Sequence, residues 1–224
     1  MKTVAVQLAQ SVIAVRVNRN LGYLPDAARA VVDRYKFVEF PTSPHEFFPV
    51  DSNQPINFRH GRWELKDRVL VIGWLQIYQT GFAVSVDTNT ADSDLVLKDV
   101  MGWASSHFNI EFEVVRPTGH LSQLDVRFER RLGELIPQLK PVGAAITKGI
   151  GDFFTSRPAY ELTGVTFHFD PTANPTWAPS AVKIEPRLGV PFGDRVYFSE
   201  APLSTNDHII VLERFERTCL ESLK

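Results

Sequence analysis

Charged residues near the carboxyl-terminal end of the chain could carry chemistry. His168 beside Asp170 could orient an imidazole for general-base catalysis, although no nucleophile stands next to it. Glu185 with Arg187 or Arg195 could hold a carboxylate or a phosphate through charge-assisted hydrogen bonds. The opposite interpretation is a solvent-facing surface on which these charges pair across strands. The candidate binding face consists of His168, Asp170, Glu185, Arg187, Arg195 and Tyr197.

Three short strands would bring these side chains to one face. Between residues 160 and 199, Val165 and Phe167 alternate with polar residues, which is the period-2 pattern of a sheet with one dry side. The same alternation places Tyr197 on the polar side. A helix from about Thr205 to the end of the chain follows. Its apolar stripe is predicted at Leu212, Phe215, Cys219 and Leu223.

Two proline-rich loops contain aromatic residues. Phe47 and Phe48 lie in the segment PTSPHEFFPVDSNQP, whose prolines exclude regular structure over its length. Trp177 lies between prolines in the loop at 171–180. An aromatic side chain in such a loop either packs beneath it as part of the core or serves as an interface anchor. Phe47, Phe48 and Trp177 therefore join the candidate binding residues.

The segment 132–154 is predicted to be helical, with Pro137 and Pro141 kinking or dividing it. Its apolar residues would suit the core, a protein interface or a membrane surface. Lys140 and Lys148 are too few to make the basic polar face of a membrane-surface helix. We therefore expect a helix that faces the core or a partner.

The order of elements predicts an α+β protein. A strand, a helix, three or four antiparallel strands and a second helix occur in residues 1–117 and again in residues 118–224. We expect the two halves to share one core and to form a curved, mainly antiparallel sheet with helices on one face. The repeated order would correspond to a β-α-β(3–4)-α duplication, without a residue-level repeat. It resembles the order in the TATA-binding-protein-like saddle folds, in architecture alone.

Charge and composition exclude several classes of function. The chain has 24 Lys and Arg against 26 Asp and Glu, a formal net charge of −2, so bulk charge does not attract it to nucleic acid or to an anionic membrane. No apolar run is long enough to predict a transmembrane span. The single cysteine, Cys219, cannot form an internal disulfide or a zinc site by itself, which favours a reducing, cytoplasmic setting.

The sequence lacks the signatures of common enzymes. It contains no G-x-S-x-G motif, no phosphate-binding loop, no dinucleotide fingerprint and no paired cysteines. The oxygen-rich stretch 87–94 lacks EF-hand spacing, and the capping of a following helix explains it. We therefore name no catalytic residue, no metal ligand and no cofactor.

These observations favour a binding or adaptor protein. It would recognise a protein partner, or assemble as a homo-oligomer, through its sheet face and its proline-rich aromatic loops. The first alternative is a small-molecule or nucleotide-binding protein, or a weak enzyme, that uses the polar strand face. Nucleic-acid binding is a second alternative, which the net charge disfavours.

Overall fold

The computed structural model describes residues 1–17, 25–43, 46, 54–150, 159–172 and 179–223. The sequence candidates Phe47, Phe48 and Trp177 lie outside these residues. The described strands are β1 (Lys2–Val17), β2 (Ile56–Glu64), β3 (Val69–Tyr78), β4 (Gly81–Val86), β5 (Phe112–Val114), β6 (Gly119–Arg127), β7 (Val165–Phe167), β8 (Val182–Pro186) and β9 (Val196–Ala201). The described helices are α1 (Pro25–Tyr35), α2 (Thr90–Phe108), α3 (Leu132–Leu135), α4 (Lys140–Ile150) and α5 (Thr205–Glu221), with 3-10 helices at Pro137–Leu139 and Phe192–Asp194.

The strands form one open antiparallel sheet on which helices pack, so the predicted α+β class is confirmed. The strand order is β2-β3-β4-β1-β6-β9-β8-β7, and β5 pairs with β1 outside this path. The chain divides into two compact units, and the predicted duplication stays a prediction. The N-terminal unit comprises Val6–Ser122 and Leu203–Thr205, and the C-terminal unit comprises Met1–Ala5, Gln123–Pro202 and Asn206–Lys224.

The core of the N-terminal unit lies between the sheet and the helices α1 and α2. On β4, Phe82 and Val84 are buried and lie opposite Ile13 and Ser11 of β1. The register of β3 against β4 shifts between residues 72 and 74, which places a β-bulge at Gly73. All six residues of β4 are buried, as expected for a strand in the middle of a covered sheet.

The oxygen-rich stretch before α2 caps that helix. The Asn89 side chain accepts a hydrogen bond from the backbone N–H of Asp92 at 3.0 Å. In the first turn, the buried carboxylate of Asp92 also accepts a hydrogen bond from Arg68 at 2.6 Å. The capping interpretation is confirmed, and these oxygens serve to start the helix.

Two apolar runs resemble strands but have different outcomes in the structure. The β-branched run 12–17 is typical of a strand, and β1 contains it but begins at Lys2, because pairing within a sheet does not require an apolar residue at every second position. The run 37–40 forms an isolated bridge between Glu39 and Arg59 and not a strand. Backbone pairing with distant segments decided both cases.

The helical segment that begins at Leu132 is divided, as its prolines predicted. α3 ends at Leu135, Pro137 opens a 3-10 helix, and Pro141 occupies the first turn of α4, where its missing N–H removes no helical hydrogen bond. The division turns α4 into an independent element of eleven residues.

Candidate functional site

Strands β7, β8 and β9 pair in sequence order, as the candidate face requires. Thr166 of β7 lies opposite Lys183 of β8, and Lys183 lies opposite Glu200 of β9. Ile184 is 1% exposed, whereas its neighbour Glu185 is exposed. β8 therefore separates a buried side from a polar side, and Glu185 lies on the polar side.

Arg187 forms an ion pair with a residue of β6. Its Nε lies 3.3 Å from Oδ2 of Asp125 on β6, whose side chain is 9% exposed. Two residues earlier on β6, Gln123 donates a hydrogen bond to Oε2 of Glu200 at 2.6 Å. The polar groups of this face thus pair across strands, which is how a solvent-facing sheet surface satisfies its charges.

Asp125 and Gln123 are residues that the sequence reasoning missed. The sequence pattern could have indicated them, because polar residues alternate with buried apolar ones along β6, at Gln123, Asp125 and Arg127. The alternation by itself does not say which later segment supplies the partners.

His168 and Asp170 lie beyond the end of β7, which ends at Phe167. Oδ1 of Asp170 accepts hydrogen bonds from the backbone N–H of Thr172 at 2.9 Å and from its hydroxyl at 2.7 Å. These bonds hold the pKa of the exposed Asp170 carboxyl below its usual value. The carboxylate therefore stabilises a turn at 170–172, a role that does not require His168.

Arg195 and Tyr197 are held by the main chain of a neighbouring segment. Arg195 has a left-handed backbone with φ of 58°, and its Nη1 donates to the carbonyl oxygen of Glu129 at 2.6 Å. The hydroxyl of Tyr197 accepts a hydrogen bond from the backbone N–H of Leu132 at 3.0 Å. Tyr197 is 3% exposed, and burial raises the pKa of its hydroxyl.

The predicted facing of Tyr197 is wrong. Tyr197, Ser199 and Ala201 form the buried side of β9. The Tyr197 ring can be buried because its hydroxyl has a backbone partner in Leu132. Of the predicted face, Glu185 and Arg187 lie on the polar surface. His168 and Asp170 lie past the end of β7, and Tyr197 lies in the core.

No family model matches this chain, and no curated protein matches it either. Among the described helices, none combines the length and apolar character that crossing a membrane requires. The function of the protein is therefore inferred from its own surfaces.

Ser199 and His208 form a buried pair that resembles part of a nucleophilic site. The Ser199 hydroxyl donates to the carbonyl oxygen of Lys183 at 2.7 Å, so it accepts the bond of 2.9 Å from Nε2–H of His208. Both residues have an exposed fraction of 0%, and burial lowers the pKa of His208 to about 4. This imidazole donates to the hydroxyl and does not activate it, so the pair joins β9 to α5.

A second set of Ser, Asp and His lies where α2 meets β1 and β6. Ser11 donates to Oδ1 of Asp94 at 2.6 Å, and Nε2 of His120 lies 3.1 Å from both Asp94 oxygens. A catalytic triad needs the imidazole between the hydroxyl and the carboxylate. Here the carboxylate lies between the other two groups, and Ser11 is fully buried. The arrangement ties α2 to the sheet.

The helix α4 has the most unusual surface in the described part of the C-terminal unit. Of its eleven residues, only Gly143 is buried. Val142 is 54% exposed and Ile146 is 41% exposed, and Leu139 just before the helix is 43% exposed. Residues at these spacings share one side of a helix, so the exposed apolar groups form a continuous stripe. We call the stripe Leu139, Val142 and Ile146 the α4 surface.

Proposed function

We propose that this protein is a non-enzymatic binding or adaptor protein that holds a protein partner against the α4 surface. The observation behind the proposal is that α4 exposes its apolar side chains and that Gly143 is its one buried residue. Helices of this length depend on tertiary packing of an apolar face. Contiguous exposed apolar groups of this kind mark interaction sites.

α4 contacts the chain near Tyr160 through two small residues, Gly143 and Thr147. A side chain at Gly143 would collide with the carbonyl oxygen of Tyr160. Thr147 accepts a hydrogen bond from the backbone N–H of Tyr160 at 3.0 Å and donates to the carbonyl oxygen of Gly143 at 2.9 Å. Glycine and threonine thus bring α4 against the chain at Tyr160 with almost no apolar burial. The larger apolar side chains are left for a partner.

The chemistry of the helix favours a protein over a membrane. Lys140 and Lys148 are its only charged residues, and residues 142, 145, 146 and 149 make an arc without charge. Peripheral membrane helices combine such an arc with a strongly basic opposite face. The partner we propose therefore presents an uncharged apolar surface, with α4 lying against it.

The cytoplasmic location and the use of loop residues remain part of the proposal. Phe47, Phe48 and Trp177 stay candidate contact residues in this proposal. The polar strand face is a weaker candidate for a small-molecule site, because its charges are already paired and Tyr197 is buried.

The test introduces charge on the α4 surface. The double variant Val142→Glu/Ile146→Glu is compared with Ala144→Glu, which changes an exposed residue on the opposite side of the same helix. After affinity purification from the source cells, the captured protein is purified and its dissociation constant is measured against each variant. We expect the double variant to weaken binding at least about tenfold and the control to leave it unchanged.

Three outcomes count against the proposal as stated. Equal binding by the wild-type protein and the double variant contradicts it. Sedimentation that shows a wild-type dimer and a monomeric double variant would make the occupant a second copy of the chain. Vesicle flotation that depends on Val142 and Ile146 would replace the protein partner by a membrane.

A further inference from the structure

A cleft of about 580 Å³ opens between α1, β2 and α2 in the N-terminal unit. This volume lies within the range of small-molecule sites. The positively charged and aromatic side chains that line it are Arg34, Lys36, Arg62, Trp63, Trp103 and His107. Two carboxylates, Asp33 and Glu64, line it as well.

Arg34 is held rigidly at this cleft. Its Nη2 lies 2.7 Å and 2.8 Å from the two oxygens of Asp99, and its Nε donates to Oδ2 of the same carboxylate at 3.0 Å. Tyr35, which is fully buried, donates its hydroxyl to Asp99 at 2.6 Å and so fixes that carboxylate in turn. Within the described residues, Nη1 of Arg34 makes no hydrogen bond. Its two N–H groups remain for a ligand, with the rest of the guanidinium locked.

Planar groups form one wall of the cleft. The Arg34 guanidinium carbon lies 5.4 Å from the centre of the Trp103 ring. The His107 ring is stacked on Trp103 at 5.4 Å, with an angle of 21° between the planes. Trp63 is held edge-on to Tyr35 at 6.3 Å. The aromatic side chains are therefore fixed by their neighbours before any ligand arrives, which lowers the entropy cost of binding.

The charged groups at the rim pair with one another. Arg62 is paired with Glu64 at 3.5 Å, and Lys36 holds the carbonyl oxygen of Asp33 at 2.5 Å. The three positive residues of the lining, Arg34, Lys36 and Arg62, face three carboxylates: Asp33, Glu64 and the Asp99 that pairs with Arg34. The local charge is therefore balanced, and the preference for an anion rests on the N–H groups of Arg34 Nη1. An anionic group beside Arg34 would receive hydrogen bonds from a guanidinium whose geometry suits carboxylates and phosphates.

We propose that this cleft binds a planar aromatic anion, that is, a flat ring carrying one phosphate or carboxylate, up to the size of a nucleoside monophosphate. The anionic group lies on Nη1 of Arg34 and near Lys36. The ring lies against Trp63 and the Trp103–His107 stack. This site is in a different unit from the α4 surface, and its ligand is independent of the protein partner proposed above.

The probes are adenosine monophosphate, adenosine, inorganic phosphate and anthranilate. Isothermal titration calorimetry measures the dissociation constants, and tryptophan fluorescence reports contact with Trp63 and Trp103. We expect saturable binding of adenosine monophosphate or anthranilate, each at least about tenfold tighter than adenosine or phosphate. Tighter binding of the monophosphate assigns the anion as phosphate, and tighter binding of anthranilate assigns it as carboxylate.

Variants locate the binding. Arg34→Gln should weaken binding at least about tenfold, and Arg29→Gln, on the same helix but outside the lining, should leave it unchanged. Since Arg34 joins α1 to α2, a second variant, Lys36→Ala/His107→Ala, alters only exposed side chains of the cleft and should also weaken binding. No saturable binding of either anion overturns the proposal. So does binding of both anions no tighter than that of adenosine, or binding that none of the cleft variants reduces.

Discussion

Nε2 of His208 on α5 lies 2.9 Å from the hydroxyl of Ser199 on β9, and both residues are fully buried. The imidazole is neutral in the folded protein because burial opposes its protonation. This contact links the pH of the solution to the stability of the fold.

The first prediction concerns the stability of the folded protein at acidic pH. The pKa of His208 is about 4 in the folded protein, below its ordinary value of 6.5, so the unfolded chain binds a proton that the folded chain excludes. The contribution of neutral His208 to the free energy of unfolding is fully present above pH 6.5, the ordinary pKa. It is lost as the pH falls toward 4, the pKa of His208 in the folded protein. Its full size is about 3 kcal/mol. Urea unfolding at several pH values should show a shallower loss of stability in His208→Gln than in the wild-type protein. Equal slopes in the two proteins would contradict this account.

The second prediction concerns the two glycines of α4. Gly143→Ala should destabilise the C-terminal unit by about 1–3 kcal/mol, because its Cβ would meet the carbonyl oxygen of Tyr160. Gly149→Ala is the matched control, since nothing lies near its Cβ, and alanine should stabilise the helix by up to about 1 kcal/mol. Chemical denaturation of both variants gives the comparison. If both stabilise the protein, α4 is not seated on Tyr160.

The third prediction concerns the polar strand face. Arg187→Ala should destabilise the protein by about 1–3 kcal/mol, because the buried Asp125 carboxylate loses its guanidinium. Glu185→Ala should change the free energy of unfolding by less than about 0.5 kcal/mol, as is usual for an exposed side chain. Unfolding curves measured side by side test the difference. Similar losses for both variants would show that the Arg187–Asp125 pair has no special role.

The fourth prediction concerns Cys219, which the sequence placed on a buried stripe. The residue is half-buried, and burial together with the charge of Glu216 raises the pKa of its thiol. Because the thiolate is the reactive form, labelling by a disulfide reagent at neutral pH should be slower than in the unfolded protein. The rate should rise as the pH is raised. Equally fast labelling of the folded and unfolded chains would show an accessible, reactive thiol.

Local patterns predicted much of the fold. The alternation along β8 and the prolines that divide the segment after Leu132 each act within a few residues. Interactions over so short a distance are encoded directly in the sequence. The same is true of the cap at Asn89, because its side chain bonds only three residues away.

The candidate sites depended on pairings between distant residues. Asp125 meets Arg187, and Arg34 meets Asp99 and Trp103, across separations that no local period can specify. The burial of Tyr197 likewise involves a distant partner, because its hydroxyl accepts a hydrogen bond from the backbone N–H of Leu132.

By itself, the sequence determined the α+β class, the positions of most strands and helices, and the apolar character of α4, because hydrophobic period and turn chemistry are local. Only the tertiary structure decided that Val142 and Ile146 face outward and that Arg34 is locked at the rim of a cleft. An apolar stripe is equally compatible with a core and with an interface. The packing of the remaining chain decides between the two, since it determines which faces are covered.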